Sequence, residues 1–154
     1  MRTRPRGCAG SARRTSAASA EADQLPRLVL DTTVLIDVLR GRPAARRLAG
    51  LARTHEPPLI CAINIEEVWR GARPDEHEAI ARLLASLRVV PLGEREGAQA
   101  GSWRREHALR GTTLSQADCL VAAAAVSASA HLATGNPRDF PMDALVVEHW
   151  PAGA

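Results

Sequence analysis

Arg27-Leu28-Val29-Leu30-Asp31-Thr32-Thr33-Val34-Leu35-Ile36-Asp37-Val38-Leu39-Arg40-Gly41 holds two elements with a carboxylate between them. Leu28 to Leu30 are three consecutive large apolar side chains and read as a short buried strand. A helix follows from about Thr33 to Leu39 and stops at Gly41 and Pro43. Asp31 stands at the junction. A carboxylate directly after a buried strand is costly to desolvate unless something cationic meets it.

The same grammar repeats downstream. A helix from Ala44 to Arg53 turns Leu48 and Leu51 inward, and Pro57-Pro58 leads into a second apolar strand, Leu59 to Ala62. Strand, helix, strand is the pattern of a parallel sheet. Helices are expected over Ile65 to Gly71 and Asp75 to Ser86, the latter with Ile80, Leu83, Leu84 and Leu87 at helical spacing. Val89-Val90 reads as a third strand. A long amphipathic helix from Glu94 to Leu109 ends at Gly111, another runs from Ser115 to Ala128, and His131 to Ala133 and Leu145 to Val147 complete the strands. The class is α/β, with right-handed crossovers and an active crevice outside the carboxyl ends of the strands.

A chain of 154 residues, 45% hydrophobic, suits one domain with a real core. The longest apolar stretch, around Cys119 to Ala128, is too short and too rich in alanine to span a bilayer. Cys8, Cys61 and Cys119 are odd in number and unpaired in spacing, which excludes a disulfide framework and a cysteine-based zinc site and fits a reducing cytosol. All twenty basic residues are arginine, which together with the abundant alanine reads as codon usage. Six arginines fall in residues 1–27 against only Glu21 and Asp23, so the net charge of +3 belongs to this extension and is no argument for nucleic-acid binding. Residues 1–27 have almost no large apolar side chains and are expected to be disordered. Arg-rich, Ser-rich starts also resemble organellar transit peptides. An overextended gene start, with initiation near Leu25, Leu28 or Val29, is the simpler account.

Four acids stand where the chain changes direction: Asp31, Glu67, Asp118 and Asp139. Asn64-x-x-Glu67 and Ser115-x-x-Asp118 each resemble a helix capping box, and Asp139, after Asn136-Pro137-Arg138, resembles a turn acid. Taken together they say more. Asp31 and Asp139 follow expected strands while Glu67 and Asp118 open expected helices, so a parallel sheet brings all four to one rim. Carboxylates gathered there suit a hard divalent cation, which makes phosphodiester hydrolysis feasible at neutral pH. Glu66 points about 100° away from Glu67 around a helix, so only one of the two faces the pocket.

Leu30-Asp31-Thr32-Thr33-Val34-Leu35-Ile36, Asn64-x-x-Glu67-Val68-x-x-Gly71, Leu114-Ser115-x-x-Asp118-x-x-Val121-Ala122-Ala123-x-Ala125 and Ala133-Thr134-Gly135-Asn136-x-x-Asp139-Phe140 resemble the four motifs of PIN-domain ribonucleases, specifically the VapC toxins of bacterial toxin–antitoxin pairs. The resemblance runs from Leu28 to about His149 and assigns residues 28–154 to a three-layer domain, a central parallel sheet flanked by helices. It departs from the family at Asn64, where threonine or serine is common, and in the N-terminal extension. The resemblance implies that Asp31, Glu67, Asp118 and Asp139 line a Mg²⁺ or Mn²⁺ site, with Asp31 and Asp118 as direct ligands and Glu67 and Asp139 ligating or acting through waters. Thr32, Thr134 and Asn136 would orient waters or the ligand carboxylates from behind. It further implies RNA cleavage that leaves 5′-phosphate and 3′-hydroxyl ends, a cognate VapB-like antitoxin, a homodimer, and action in the cytoplasm.

The remaining candidates carry less. His55, His77, His107, His131 and His149 show no ligand spacing. Trp69 and Trp103 suit core packing or a subunit interface better than base stacking. Arg104, Arg105 and Arg110 form the best basic cluster outside the extension. A haloacid-dehalogenase-type phosphatase needs a second aspartate where Thr33 stands, and a nucleotide-binding Rossmann domain needs a glycine-rich loop after the first strand. A catalytically silent PIN-like module that binds RNA or a partner is the alternative from another class; the intact acidic quartet speaks against it.

Overall fold

Leu28, Leu30, Ile60 and Ala133 pack on one side of a sheet while Val29, Leu59, Cys61 and Leu132 pack on the other, the period of two expected of strands buried on both faces. The computed structural model describes residues 25–53 and 56–153. Expectations for residues 1–24, and for His55, lie outside the described residues. Five strands, β1 (Leu28–Leu30), β2 (Leu59–Cys61), β3 (Arg88–Val90), β4 (His131–Thr134) and β5 (Val147–His149), form one sheet in the order β3-β2-β1-β4-β5. Every pairing is parallel, with Val29 opposite both Leu59 and Leu132.

Between the strands run α1 (Thr32–Leu39), α2 (Pro43–Ala52), α3 (Ala62–Arg70), α4 (His77–Ala85), α5 (Glu94–Leu109) and α6 (Gln116–Ser127). Val34, Leu35, Leu48, Val68 and Ile80 of α1 to α4 cover the face of Leu28 and Leu30. Ala100 and Trp103 of α5 and the apolar residues of α6 cover the other. From β1 to β3 the chain steps one way across the sheet; it then returns over the opposite face to β4. Right-handed crossovers require that change of face when the direction reverses. The reversal falls between β1 and β4, where a crevice for ligands opens at the carboxyl ends of the strands.

Helix α6 gives the alanines a structural role that composition alone did not. Cys119 and Val121 to Ala125 are all buried, so the helix is covered all round and its small side chains let α5 and the sheet approach closely. Trp103 is core, at 6% exposure. Among the described residues no helix is long and apolar enough to cross a membrane.

Several boundaries differ from the sequence reading: α4 runs from His77 to Ala85, after a 3-10 turn over Pro74–Glu76, where a helix from Asp75 to Ser86 is expected, and three further differences have clear causes. The last strand begins at Val147, two residues later than Leu145, because Leu145 turns back with its N–H on the Met142 carbonyl and buries its side chain. Helix α3 begins at Ala62, three residues early, because Cys61 caps it and Asn64 returns the capping hydrogen bond, its Oδ1 accepting from the Cys61 N–H at 2.9 Å. Arg27 belongs to the folded part: its carbonyl accepts from the His131 N–H at 2.9 Å and its guanidinium donates to the Ala128 carbonyl at 3.0 Å.

Ile60 is fully buried at the centre of β2. Ile60→Ala will cost about 2–5 kcal/mol of unfolding free energy in urea, since the cavity adds to the lost transfer energy. Val89→Ala, on the exposed side of the edge strand β3, will cost about 0.5 kcal/mol or less.

Candidate metal centre

Asp31 follows β1 directly, and its N–H donates to the Ala133 carbonyl of β4 at 2.9 Å, which places it at the reversal point of the sheet. It is the N-cap of α1, with Oδ1 accepting from the Thr32 N–H at 2.8 Å. Two hydroxyls converge on Oδ2, Thr33 at 2.8 Å and Thr134 at 2.7 Å. At 6% exposure the carboxylate is buried, and these three donors stand where water would otherwise be.

Glu67 lies in the second turn of α3 and accepts from the Thr32 hydroxyl at 2.5 Å. Asn64, fully buried, donates from Nδ2 to that same hydroxyl oxygen at 3.2 Å. Asn64 therefore works inward, joining α3 to α1, and does not cap a helix with Glu67 as its return partner. Glu66 faces solvent, paired with Arg70 at 3.5 Å.

Asp118 occupies the first turn of α6, where Ser115 is the N-cap and accepts from the Asp118 N–H at 3.3 Å. Here the cap foreseen in the sequence is real, and the Asp118 side chain serves something else besides. Its carboxyl is pushed up from 3.8 to about 6, first by burial, then by the negative charges of Asp139 and Asp31, with Glu67 adding a smaller push and Ser115 opposing. The four acids, from four separate elements, thus share one electrostatic neighbourhood. Asp139 ends the short 3-10 turn after β4 and accepts from Asn136 Nδ2 at 2.7 Å; its side chain is exposed.

Among the described residues, no three acidic, histidine or cysteine side chains stand close enough together to hold a metal ion. Yet Asp118 responds to all three of its acidic neighbours. The two observations agree physically, because like charges hold apart and Coulomb influence reaches well beyond a metal–oxygen bond of about 2.1 Å.

The hydroxyl and amide residues divide as follows. Thr134 is fully buried, donating to Asp31 and accepting from the Asn136 N–H at 3.1 Å. Thr32 bridges Asn64 and Glu67. Thr33, noticed in the sequence only as the place where a phosphatase would carry aspartate, donates to Asp31 and accepts from the Gly135 N–H at 2.9 Å. Its available signal was a hydroxyl two residues after Asp31, on the first turn of a helix. Thr134→Val will cost about 1–3 kcal/mol in thermal or urea unfolding, because Asp31 loses a donor and the Asn136 N–H an acceptor.

The tempting residues outside the rim fall elsewhere. Trp69 is half-exposed on α3 and meets His77 edge-on at 5.3 Å. Arg104 holds the Leu114 carbonyl at 3.4 Å, while Arg105 and Arg110 are exposed. Burial raises the thiol of Cys61 and that of Cys119, which keeps both protonated.

Comparison with known proteins identifies the fold and the family. The PIN domain family matches residues 28–141. Ribonuclease VapC10 of Mycobacterium tuberculosis is 36% identical over 115 residues, spanning 75% of this chain and 86% of that protein. Among solved structures, a toxin–antitoxin complex from Klebsiella pneumoniae is similar at a TM-score of 0.62 and 25% identity, over 77% of this chain and 95% of that one. VapBC2 from Rickettsia felis, bound to a DNA fragment from its promoter, matches in fold at a TM-score of 0.69 and 21% identity, over 80% and 98% of the two chains. A parallel α/β sheet with acids at its reversal point, matched along most of its length, makes this chain a member of the PIN-domain family, alongside the VapC ribonucleases.

Proposed function

We propose that this chain is a metal-dependent endoribonuclease, the toxin of a toxin–antitoxin pair, acting on cytoplasmic RNA and held inactive by a VapB-like partner. The observation that carries the reading is the convergence of Asp31, Glu67, Asp118 and Asp139 from four elements into one neighbourhood, where burial first, and then the charges of Asp139 and Asp31, push the Asp118 carboxyl up to about 6. Such a concentration of negative charge favours a counter-cation at neutral pH, and an all-oxygen donor set suits Mg²⁺ or Mn²⁺. Asp31 and Asp118 would hold the ion directly, with Glu67 and Asp139 completing the set or acting through waters. When bound, the ion polarises the phosphate and lowers the pKa of the attacking water.

The protein's own residues contribute position. Thr33 and Thr134 keep Asp31 Oδ2 in one orientation, and the Thr32 N–H does the same for Oδ1. Thr32 and Asn64 hold Glu67. Asn136 holds the exposed Asp139 at the open side of the rim.

The purified protein should cut RNA with Mg²⁺ or Mn²⁺, leave 5′-phosphate ends, and stop when a chelator is added. Undiminished cleavage in chelator would overturn the metal reading. Expression alone should arrest growth, and co-expression of the partner should relieve the arrest. Because protons compete with metal at Asp118, metal affinity should fall about tenfold between pH 7 and pH 5, as its carboxyl passes through about 6. A flat metal affinity over that interval would remove Asp118 from the ligand set.

A further inference from the structure

We propose that Asp37 is a positioning residue for Asp31, acting through a C-terminal strap, residues 150–153, that it ties along α1. The inference rests on the reading above of Asp31 as a metal ligand. Asp37 is 3% exposed and sits four residues after Thr33, so the two share one face of α1. Its Oδ1 accepts from Arg42 Nη1 at 2.5 Å and its Oδ2 from the Gly153 N–H at 2.9 Å. Three residues earlier, the Trp150 N–H donates to the Thr134 carbonyl at 2.8 Å. The strap is thereby pinned at both ends, to β4 and to α1.

Between the pins, Ala152 presses on Gly135. A Cβ on Gly135 would lie 3.0 Å from Ala152 Cβ and 3.3 Å from Thr33 Oγ1, so any larger residue would push strap and helix apart by a few tenths of an ångström. Gly135 in turn donates its N–H to Thr33 Oγ1 at 2.9 Å, and Thr33 donates to Asp31 Oδ2 at 2.8 Å. The line from Asp37 to Asp31 is continuous: carboxylate, strap, Gly135, Thr33, Asp31.

Stability alone does not call for a carboxylate at position 37. A buried ion pair is often no better than a well-packed apolar side chain, since desolvation offsets its attraction. What the carboxylate adds is direction. It fixes the register of the strap along α1, where an apolar contact would allow sliding.

The test compares Asp37→Asn, a chain ending at Trp150, and Val90→Ala as a destabilised control on the edge strand β3, in the core on the other side of the sheet from Trp150. Mn²⁺ affinity is measured by calorimetry and exchange of the Gly135 amide by NMR. Both strap variants should bind Mn²⁺ about tenfold more weakly, as loss of a ligand's supporting contact does. The Gly135 amide should exchange at least several-fold faster while β1 amides keep the parent rate, and excess Mn²⁺ should restore cleavage. Parent Mn²⁺ affinity in both folded variants, or an equal loss in Val90→Ala, would overturn the role. Asp31→Asn separates the two readings. Parent affinity there overturns the metal reading and the role of Asp37 with it; lost affinity there with parent affinity in Asp37→Asn overturns the positioning role alone.

Discussion

Asp118→Asn and Asp31→Asn will each lower metal-dependent cleavage by about a thousandfold or more, yet they will move stability in opposite directions. The shared loss follows because asparagine keeps the shape of either residue and removes the charge that a hard cation requires. The divergence follows from their surroundings. Folding holds the proton of Asp118 up to about pH 6, whereas the unfolded chain releases it near 3.8. Between these values the folded state binds more protons, so this residue's contribution to stability falls as pH rises. Asp118→Asn should therefore stabilise the metal-free protein at pH 7 by on the order of 1–2 kcal/mol; the full value, roughly 1.4 kcal/mol per pH unit, is discounted for partial exposure. It should also flatten the pH slope between 4 and 6. Asp31→Asn should destabilise by about 1–3 kcal/mol, since three donors, two of them hydroxyls, converge on its oxygens and an amide nitrogen cannot accept from them. Urea unfolding of both variants in chelator reads the signs. Full cleavage by folded Asp118→Asn would sink the metal assignment, and destabilisation of Asp118→Asn would sink the account of its raised carboxyl.

Affinity for the antitoxin should fall by tenfold or more as Mg²⁺ rises from chelated to saturating. Four acids on one rim favour any cation that reaches them, and arginine suits such a site because its planar fork pairs bidentately with carboxylates. We predict that the partner places a basic side chain among Asp31, Glu67, Asp118 and Asp139, in competition with metal. Reciprocal linkage then requires Mg²⁺ to weaken the partner as much as the partner weakens Mg²⁺. Titration calorimetry of the purified complex at several metal concentrations measures this directly. An affinity indifferent to Mg²⁺ would mean that inhibition covers the RNA path and leaves the metal site alone.

How much of this was legible beforehand depends on how local each signal is. The helix from Glu94 to Leu109 was read to its boundaries because its ends are punctuated, with Gly93 and the acids Glu94 and Glu96 at its start and Arg110-Gly111 at its end; it is not amphipathic as expected, since only Ala100 and Trp103 are buried. The final strand was misplaced by two residues: Leu145, Val146 and Val147 are equally apolar, and only pairing with Leu132 decides which of them enters the sheet. Asn64 was misread for a related reason. A cap and a third helical position look alike in sequence, and the difference is made by where β2 ends.

Alone, the sequence determined the α/β class and the parallel pattern and singled out the four acids as candidates, because apolar periodicity and residue chemistry are properties of neighbours along the chain. Which polar groups hold those acids was decided only by tertiary structure. Thr33 and Thr134 are about a hundred residues apart and meet on one oxygen of Asp31 because β1 and β4 are adjacent in the sheet. The raised carboxyl of Asp118 likewise exists only once four elements bring like charges together out of water.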